Sequence, residues 1–334
     1  MTVPGPVQAA FVVQRLEGTR WVALRAAVST GAPLLLLWAS GHLEWSLYAT
    51  FGAFASVYGR GESHRTRLTM QTTVGLLLTA AVSLGAAVGC LDSRAWVAVA
   101  ASAGVAAVGA VLSDLQQWHP PGPMFFVFAV ASTGSIPAVP SDVLTSAVAA
   151  AAAAAFAVAV GAVGAVRSGW GVARPRPGRA LDRALRRHVA RSVVAVVLAG
   201  TIATSVGIGR PYWAMIAAVV PLAARELDAQ LTRALQRAAG TTLGLVLAAL
   251  LLELHLGGLV TILVVTVLLA ATEVLVGRNY ALALVTITPL ALLMVHLASP
   301  TPTGVLLWDR WIETIIGVVI GAGVGYLTRV HVTR

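Results

Sequence analysis

Apolar residues form long continuous runs along the chain, separated by short segments that carry most of the arginines. A continuous run of about 20 apolar residues is typical of a membrane-spanning helix, whereas a membrane barrel shows short alternating segments. The pattern predicts an all-α integral membrane protein with about twelve transmembrane segments, six in each half. The predicted segments are 21–40, 45–58, 68–91, 95–112, 123–136 and 143–166, then 189–206, 212–224, 238–254, 256–276, 279–297 and 305–327.

The second segment of each half, 45–58 or 212–224, is too short to cross a bilayer as a straight helix. Backbone that does not span the bilayer regularly is tolerated only where it is buried in protein or lines a cavity. We therefore predict short or broken second and eighth helices within the helix bundle.

The two halves of the chain share a sequence pattern. Trp45 precedes Trp213 by 168 residues and Gly75 precedes Gly244 by 169 residues. A period of about half the chain is typical of a duplicated membrane unit. The predicted units are a first six-helix membrane repeat (1–166), a basic cytoplasmic linker (167–188) and a second six-helix membrane repeat (189–334).

Composition indicates that the lipid bilayer is the solvent of this chain. Hydrophobic residues make up 58% of the sequence and charged residues only 11%, whereas soluble domains carry about a quarter. The net charge of +10 does not indicate nucleic acid, because the arginines concentrate on alternate loops, as the positive-inside rule expects. This distribution predicts a multi-pass protein of the bacterial cytoplasmic membrane with both termini in the cytoplasm.

The sequence contains no motif that indicates catalysis. Walker A and H-E-x-x-H motifs are absent, the seven His are scattered and Cys90 is the single cysteine. No two His have the spacing of metal ligands. We therefore expect neither an enzyme nor a metal or cofactor site.

Arginines near the starts of predicted helices are the first candidates for function. Arg25 and Arg191 lie at equivalent places in the first and seventh segments, and Arg233 and Arg237 precede the ninth. Charge within a membrane segment is costly and usually faces a cavity or a partner, so these arginines predict an electropositive path for an anion. The alternative is that they snorkel to the cytoplasmic interface, which suits Arg67 at least as well.

Aromatic residues accompany both short segments. Trp45 lies in the first, and Tyr212 and Trp213 begin the second. They predict either an interfacial belt, which is the simpler interpretation, or the aromatic wall of a cavity for a planar substrate. In the second case these three residues belong to the anion path.

Carboxylates near the arginines are candidates for neutralising charge, relaying protons or gating. Arg310 and Glu313 lie three residues apart, which allows an ion pair on one face of the last helix. Such a pair would stabilise the helix, and it could also gate a path or take up a proton. Glu226, after the eighth segment, and Glu273, near the end of the tenth, are further candidates for a proton site.

A stripe of glycines marks the last segment. Gly317, Gly321 and Gly325 form two overlapping G-x-x-x-G steps, and small residues allow helices to approach closely in lipid. The stripe predicts packing against the counterpart helix of the first half or against another chain. The second case would give a homodimer through the glycine-rich last helix.

Three stretches of the second half resemble one protein family. They are Tyr-Trp-Ala at 212–214, Arg-x-x-x-Arg-x-x-Gly-Thr-x-x-Gly at 233–244 and Arg-x-x-Glu-x-x-x-Gly at 310–317. They are similar to the fusaric acid resistance protein-like (FUSC) family, whose superfamily includes aromatic acid exporters and the plant aluminium-activated malate transporters. The resemblance implies an inner-membrane protein that moves organic anions outward, with two six-helix units around one pathway. The first half lacks a clean copy of the second stretch, and the chain lacks the sizeable soluble domain of larger members.

We therefore expect a membrane transporter that exports organic, in particular aromatic, acid anions, with proton coupling as a further expectation. A passive anion channel and a non-transporting membrane scaffold subunit are the alternatives. The expected partners are the organic anion and the lipid bilayer.

Overall fold

The computed structural model describes residues 5–13, 19–168 and 181–329, which form α-helices joined by short loops, with no β-strand in these ranges. The first half contains α1 (Pro6–Ala10), α2 (Thr19–Ser40), α3 (Ser46–Ala53), α4 (His64–Gly89), α5 (Arg94–Leu115), α6 (Met124–Gly134) and α7 (Pro140–Ser168). The second half contains α8 (Arg183–Ser205), α9 (Tyr212–Leu222), α10 (Leu227–Glu253), α11 (Gly258–Leu275), α12 (Tyr280–Ala298) and α13 (Thr303–Leu327). Two 3-10 turns, Leu43–Trp45 and Phe54–Val57, flank α3.

Helices α2 to α13 coincide with the apolar segments predicted from the sequence. The largest difference is in α10, which begins at Leu227 rather than near Ala238. In the described ranges, eight helices are long and apolar enough to cross a membrane, namely α2, α4, α5, α7, α8, α10, α11 and α12. The all-α, multi-pass class is therefore confirmed, whereas the number of twelve crossings stays a prediction.

The predicted linker 167–188 is partly helical. Helix α7 continues to Ser168, and α8 begins at Arg183. Asp182 caps α8, because its carboxylate accepts a hydrogen bond from the backbone N–H of Leu185 (2.7 Å). Residues 169–180 of the linker and both chain ends, 1–4 and 330–334, lie outside the described ranges. The domain boundaries and the side on which the termini lie stay predictions.

The second helix of each half is short. Helix α3 has eight residues and α9 has eleven, and every residue of both is buried. At 1.5 Å per residue, α9 extends about 16 Å, roughly half of the hydrocarbon core of a bilayer. In the described ranges α6 is also short, with eleven residues, although the predicted segment 123–136 is counted among the twelve crossings without being marked as short.

Corresponding helices of the two halves make corresponding contacts. In the first half α7 packs on α3 and α4, and in the second half α13 packs on α9 and α10. Between the halves, α2 packs on α11, α5 on α8, and α6 on α9. These contacts place the short helices α3, α6 and α9 at the centre of the molecule. The two-repeat layout itself stays a prediction.

The glycine stripe of α13 faces the inside of the same chain. A β-carbon at Gly317 would overlap the backbone oxygen of Ala214, and one at Gly321 would overlap that of Ala218, both on α9. At Gly325 a β-carbon would overlap the side chain of Gln230 on α10. These glycines therefore pack on α9 and α10 of the same half, not on the counterpart helix of the first half. A homodimer through α13 stays a prediction.

The contact between α9 and α13 gives a stability prediction. Gly317→Ala is expected to destabilise the protein by about 1–3 kcal/mol, because the methyl group overpacks the helix contact. The measurement is the melting temperature of the purified protein in detergent. Gly323→Ala is the matched control, because a β-carbon at Gly323 meets nothing within 4 Å. Equal melting temperatures for the two variants would contradict the close contact at Gly317.

Candidate functional site

A cavity of about 310 Å³ lies where the two halves meet. Its wall is formed by the 3-10 turn that follows α3, the loops that precede α4 and α6, α6 itself and parts of α9 to α13. The lining residues His119, Arg233 and Val276 are exposed and mark one end of the cavity. Trp213 and Arg310, each 1% exposed, mark the other end. The cavity therefore enters the protein from one side and ends in its core.

The lining of the cavity is positively charged. Among the described residues it contains four arginines, Arg60, Arg233, Arg237 and Arg310, and one carboxylate, Glu273. A cleft lined by one sign of charge within low-dielectric walls concentrates ions of the opposite sign. The arrangement favours an anion.

Arg310 is the most deeply buried of these cations. Its guanidinium lies 3.8 Å from the ring centre of Trp213, a cation–π contact that orients it at the inner end of the cavity. Its Nε and Nη1 atoms have no hydrogen-bond partner. A buried charged group with unpaired donors is costly, so it indicates a place where an anion completes the site.

Arg237 lies on α10, one turn beyond Arg233, and is held by Tyr280. Arg237 Nη1 donates a hydrogen bond to the Tyr280 hydroxyl (2.8 Å), and Arg237 Nε has no partner. The guanidinium of Arg233 lies 5.7 Å from the Tyr280 ring centre. Asn279 fixes the start of α12, because its side chain accepts the backbone N–H of Ala281 (2.8 Å). This cap positions Tyr280 between the two arginines.

Aromatic rings form a further part of the cavity wall. Phe54 and Phe125 lie 5.2 Å apart and Phe128 and Trp213 lie 4.9 Å apart, measured between ring centres, and all four line the cavity. Such a wall binds the flat apolar body of a ligand, while the arginines bind its charge.

The loop between α8 and α9 is tied to the start of α13 beside the inner end of the cavity. The backbone N–H of Arg210 donates to Glu313 Oε1 (3.0 Å), and its guanidinium donates to Asp309 (3.3 Å) and Thr301 (2.8 Å). The side chains of Arg310 and Glu313 form no direct hydrogen bond or salt bridge with each other, and their suggested part in gating or proton uptake stays a prediction. The two side chains leave the helix toward different partners, Trp213 for Arg310 and Arg210 for Glu313.

Arg25 and Arg191, predicted for the anion path, lie outside the cavity lining. Arg25 Nε donates to the backbone oxygen of Ser56 (3.3 Å), just after α3. Arg191 donates to the side chain of Gln230 (2.8 Å), which in turn donates to the backbone oxygen of Ala224 (2.8 Å), just after α9. These arginines help to satisfy carbonyl groups where the short helices end.

The remaining predicted residues divide between the cavity and its surroundings. Trp213, Arg233, Arg237 and Glu273 line the cavity. Three others do not. Tyr212 is buried behind the wall, with its ring centre 4.9 Å from that of Trp213. Trp45 stacks on His42 with their ring centres 4.1 Å apart, and Glu226 is exposed at the start of α10.

Arg60 is a lining residue that the sequence pattern did not distinguish from its neighbours. It lies in the loop between α3 and α4, and its Nη2 donates to the carboxylate of Glu273 (2.7 Å). A carboxylate in an apolar helix requires a partner, so Glu273 was the available signal for a nearby arginine. The particular arginine follows only from the fold.

The unpaired burial of Arg310 gives a prediction. Arg310→Met is expected to raise the melting temperature of the purified protein in detergent, because replacing a buried charge by an apolar residue of similar size often stabilises by about 1–4 kcal/mol. Arg210→Met is the comparison, and it is expected to lower the melting temperature because it leaves the carboxylate of Asp309 and the hydroxyl of Thr301 without the guanidinium that they accept from. A lower melting temperature for Arg310→Met than for Arg210→Met would contradict this interpretation.

Comparison with known proteins gives a match to part of the chain. Residues 198–324 match the model of the family described as fusaric acid resistance protein-like. The chain is also 30% identical over 129 residues to the uncharacterized membrane protein YvaC of Bacillus subtilis (strain 168). That alignment covers 38% of this chain and 20% of the length of the relative. No solved structure matches the chain.

The relation to aluminium-activated malate transporters stays a prediction. The matched residues 198–324 extend from α8 to α13 and include Trp213, Arg237 and Arg310 of the cavity. The resemblance of this chain to the fusaric acid resistance protein-like family is thereby confirmed for the second half.

Proposed function

We propose that this multi-pass membrane protein is a transporter that exports organic acid anions through the central cavity. The observation that carries the proposal is the pair of buried arginines, Arg237 and Arg310, which direct unpaired donors into the region of the cavity. A carboxylate supplies two acceptor oxygens, and its pairing with a guanidinium is among the strongest hydrogen-bonded contacts in proteins.

The shape and lining of the cavity favour an amphipathic anion. A volume of about 310 Å³ is at the lower end of the range for small-molecule sites. The four aromatic rings would cover an apolar body, so an aromatic carboxylate fits this site better than a small one such as acetate.

Two features support export rather than a permanently open channel. The contacts of Arg210 with Asp309 and Glu313 close the protein beside the inner end of the cavity. Under the positive-inside rule, the open end near Arg60 and Arg233 faces the cytoplasm, where it would load an anion. For an anion that crosses without an accompanying proton, a membrane potential that is negative inside favours efflux by about 2.3 kcal/mol per charge for each 100 mV.

The family match agrees with this proposal. The family description names resistance to fusaric acid, and removing an acid from the cell is one way to resist it. The matched relative is a membrane protein without an assigned activity.

Arg237→Gln tests the proposal. The variant is expected to reduce efflux of radiolabelled benzoate from proteoliposomes by at least about tenfold, since a hydrogen bond to a charged group contributes about 1.5–3 kcal/mol. Arg187→Gln is the control, because Arg187 is exposed and lies outside the cavity. Unchanged efflux in Arg237→Gln would contradict the proposal, and it is the result expected of a scaffold subunit. Voltage-dependent single-channel steps would identify the alternative of a passive channel.

Phe128→Ala tests the substrate class. Loss of this ring is expected to weaken benzoate binding by about 1 kcal/mol or more and to leave acetate binding nearly unchanged. Competition for benzoate efflux by a series of aromatic and aliphatic acids measures the difference. Phe156→Ala is the control, since Phe156 lies on α7 and is 38% exposed. An equal effect on both acids would show that the wall does not select the apolar body.

A further inference from the structure

Glu273 and Arg60 form an ion pair in the wall of the cavity and join the two halves of the protein. Glu273 lies near the end of α11 and is 6% exposed. Arg60 Nη2 lies 2.7 Å from Glu273 Oε2 and also donates to the backbone oxygen of Glu273 at 2.7 Å. Among the described lining residues, Glu273 is the one carboxylate.

Arg60 retains capacity for a second acceptor. Its Nη1 is buried without a hydrogen-bond partner, and its side chain lines the cavity. Glu273 thus gives Arg60 the same chemical group, a carboxylate, that the proposed substrate would bring. An entering anion would compete with Glu273 for this guanidinium.

Displacement of Glu273 from Arg60 would leave a buried carboxylate without a full partner, which is costly. Arg25 on α2 also acts electrostatically on Glu273. Arg25 Nε donates to the backbone oxygen of Ser56, Arg25 Nη2 is buried without a hydrogen-bond partner, and no hydrogen bond joins Arg25 to Glu273. Taking up a proton removes the charge of Glu273 and with it most of this cost.

From this geometry we infer that Glu273 is a proton-binding residue that links proton uptake to anion binding at Arg60. One proton from solution forms an O–H bond on the Glu273 carboxylate, and the pairing of Arg60 passes from Glu273 to the anion. One positive and one negative charge enter together, so the net charge of the cavity does not change. This inference rests on the proposed function.

Other titratable groups face the same space. Tyr280 on α12, Arg233 and Arg237 on α10, and Arg310 on α13 line the cavity with Glu273, as does His119 before α6. Histidine is the side-chain type that ordinarily acts as a switch near neutral pH, so His119 is the competing source of a pH effect to be tested. The other predicted proton sites are less suited, because Glu226 is exposed and neither Glu226 nor Glu313 lines the cavity.

Calorimetric titration of the purified protein with benzoate tests the linkage. Benzoate stays ionised between about pH 6 and about pH 8. One linked proton changes affinity by up to about tenfold per pH unit, so the wild type is expected to bind at least about tenfold more tightly at the lower pH. Glu273→Gln is expected to lose this dependence and to bind at the higher pH at least as tightly as the wild type. His119→Gln is expected to retain it.

A second measurement does not depend on the folding of a variant. In weak buffer with a pH indicator, the wild type is expected to take up a substantial fraction of one proton, at most about one, for each benzoate bound. If the wild type binds benzoate without taking up a proton, the linkage is overturned but the proposed function is not. The same conclusion follows if the folded Glu273→Gln variant keeps the pH dependence of the wild type. If the His119→Gln variant loses the pH dependence of benzoate binding, the proton belongs to His119, and the inference that Glu273 binds it is overturned. Absence of benzoate binding at both pH values would overturn the proposed function as well.

Discussion

A helix that ends inside a membrane protein leaves carbonyl groups that lipid cannot satisfy, and this constraint governs the centre of the structure. Helices α3 and α9 both end in this way and are buried along their whole length. Gln71 donates to the backbone oxygens of Ser56 and Tyr58, and Gln230 donates to that of Ala224. Each short helix therefore ends against a polar side chain from the helix that follows it.

The cavity is a consequence of these endings. Because α3, α6 and α9 do not fill the full depth of the bundle, space remains where their ends approach one another, and α10 to α13 complete its wall. The chain places arginines in that space instead of filling it with apolar residues. The buried positive charge is unfavourable for stability, which suggests that it is retained for a ligand.

Much of the fold could be predicted from the sequence, because continuous apolar runs and the spacing of arginine-containing loops determine helix positions. The site was less predictable. Arg25, Arg191 and Arg237 all lie near the starts of apolar helices, but only Arg237 lines the cavity. The difference depends on which neighbour each guanidinium meets: the backbone oxygen of Ser56 for Arg25, the side chain of Gln230 for Arg191 and the hydroxyl of Tyr280 for Arg237. Those neighbours follow only from the packing. The glycine stripe of α13 likewise predicted a close contact, but it suggested the counterpart helix of the first half or another chain, whereas the stripe meets α9 and α10.

The contact between α9 and α13 has a mechanical consequence. At Gly317 and Gly321 the backbone of α13 lies directly against the backbone of α9, which leaves little room for one helix to slide along the other. The two helices are therefore expected to move as one rigid body. Trp213 belongs to α9 and Arg310 to α13, and the Arg310 guanidinium lies 3.8 Å from the Trp213 ring centre. The two side chains would then be displaced together.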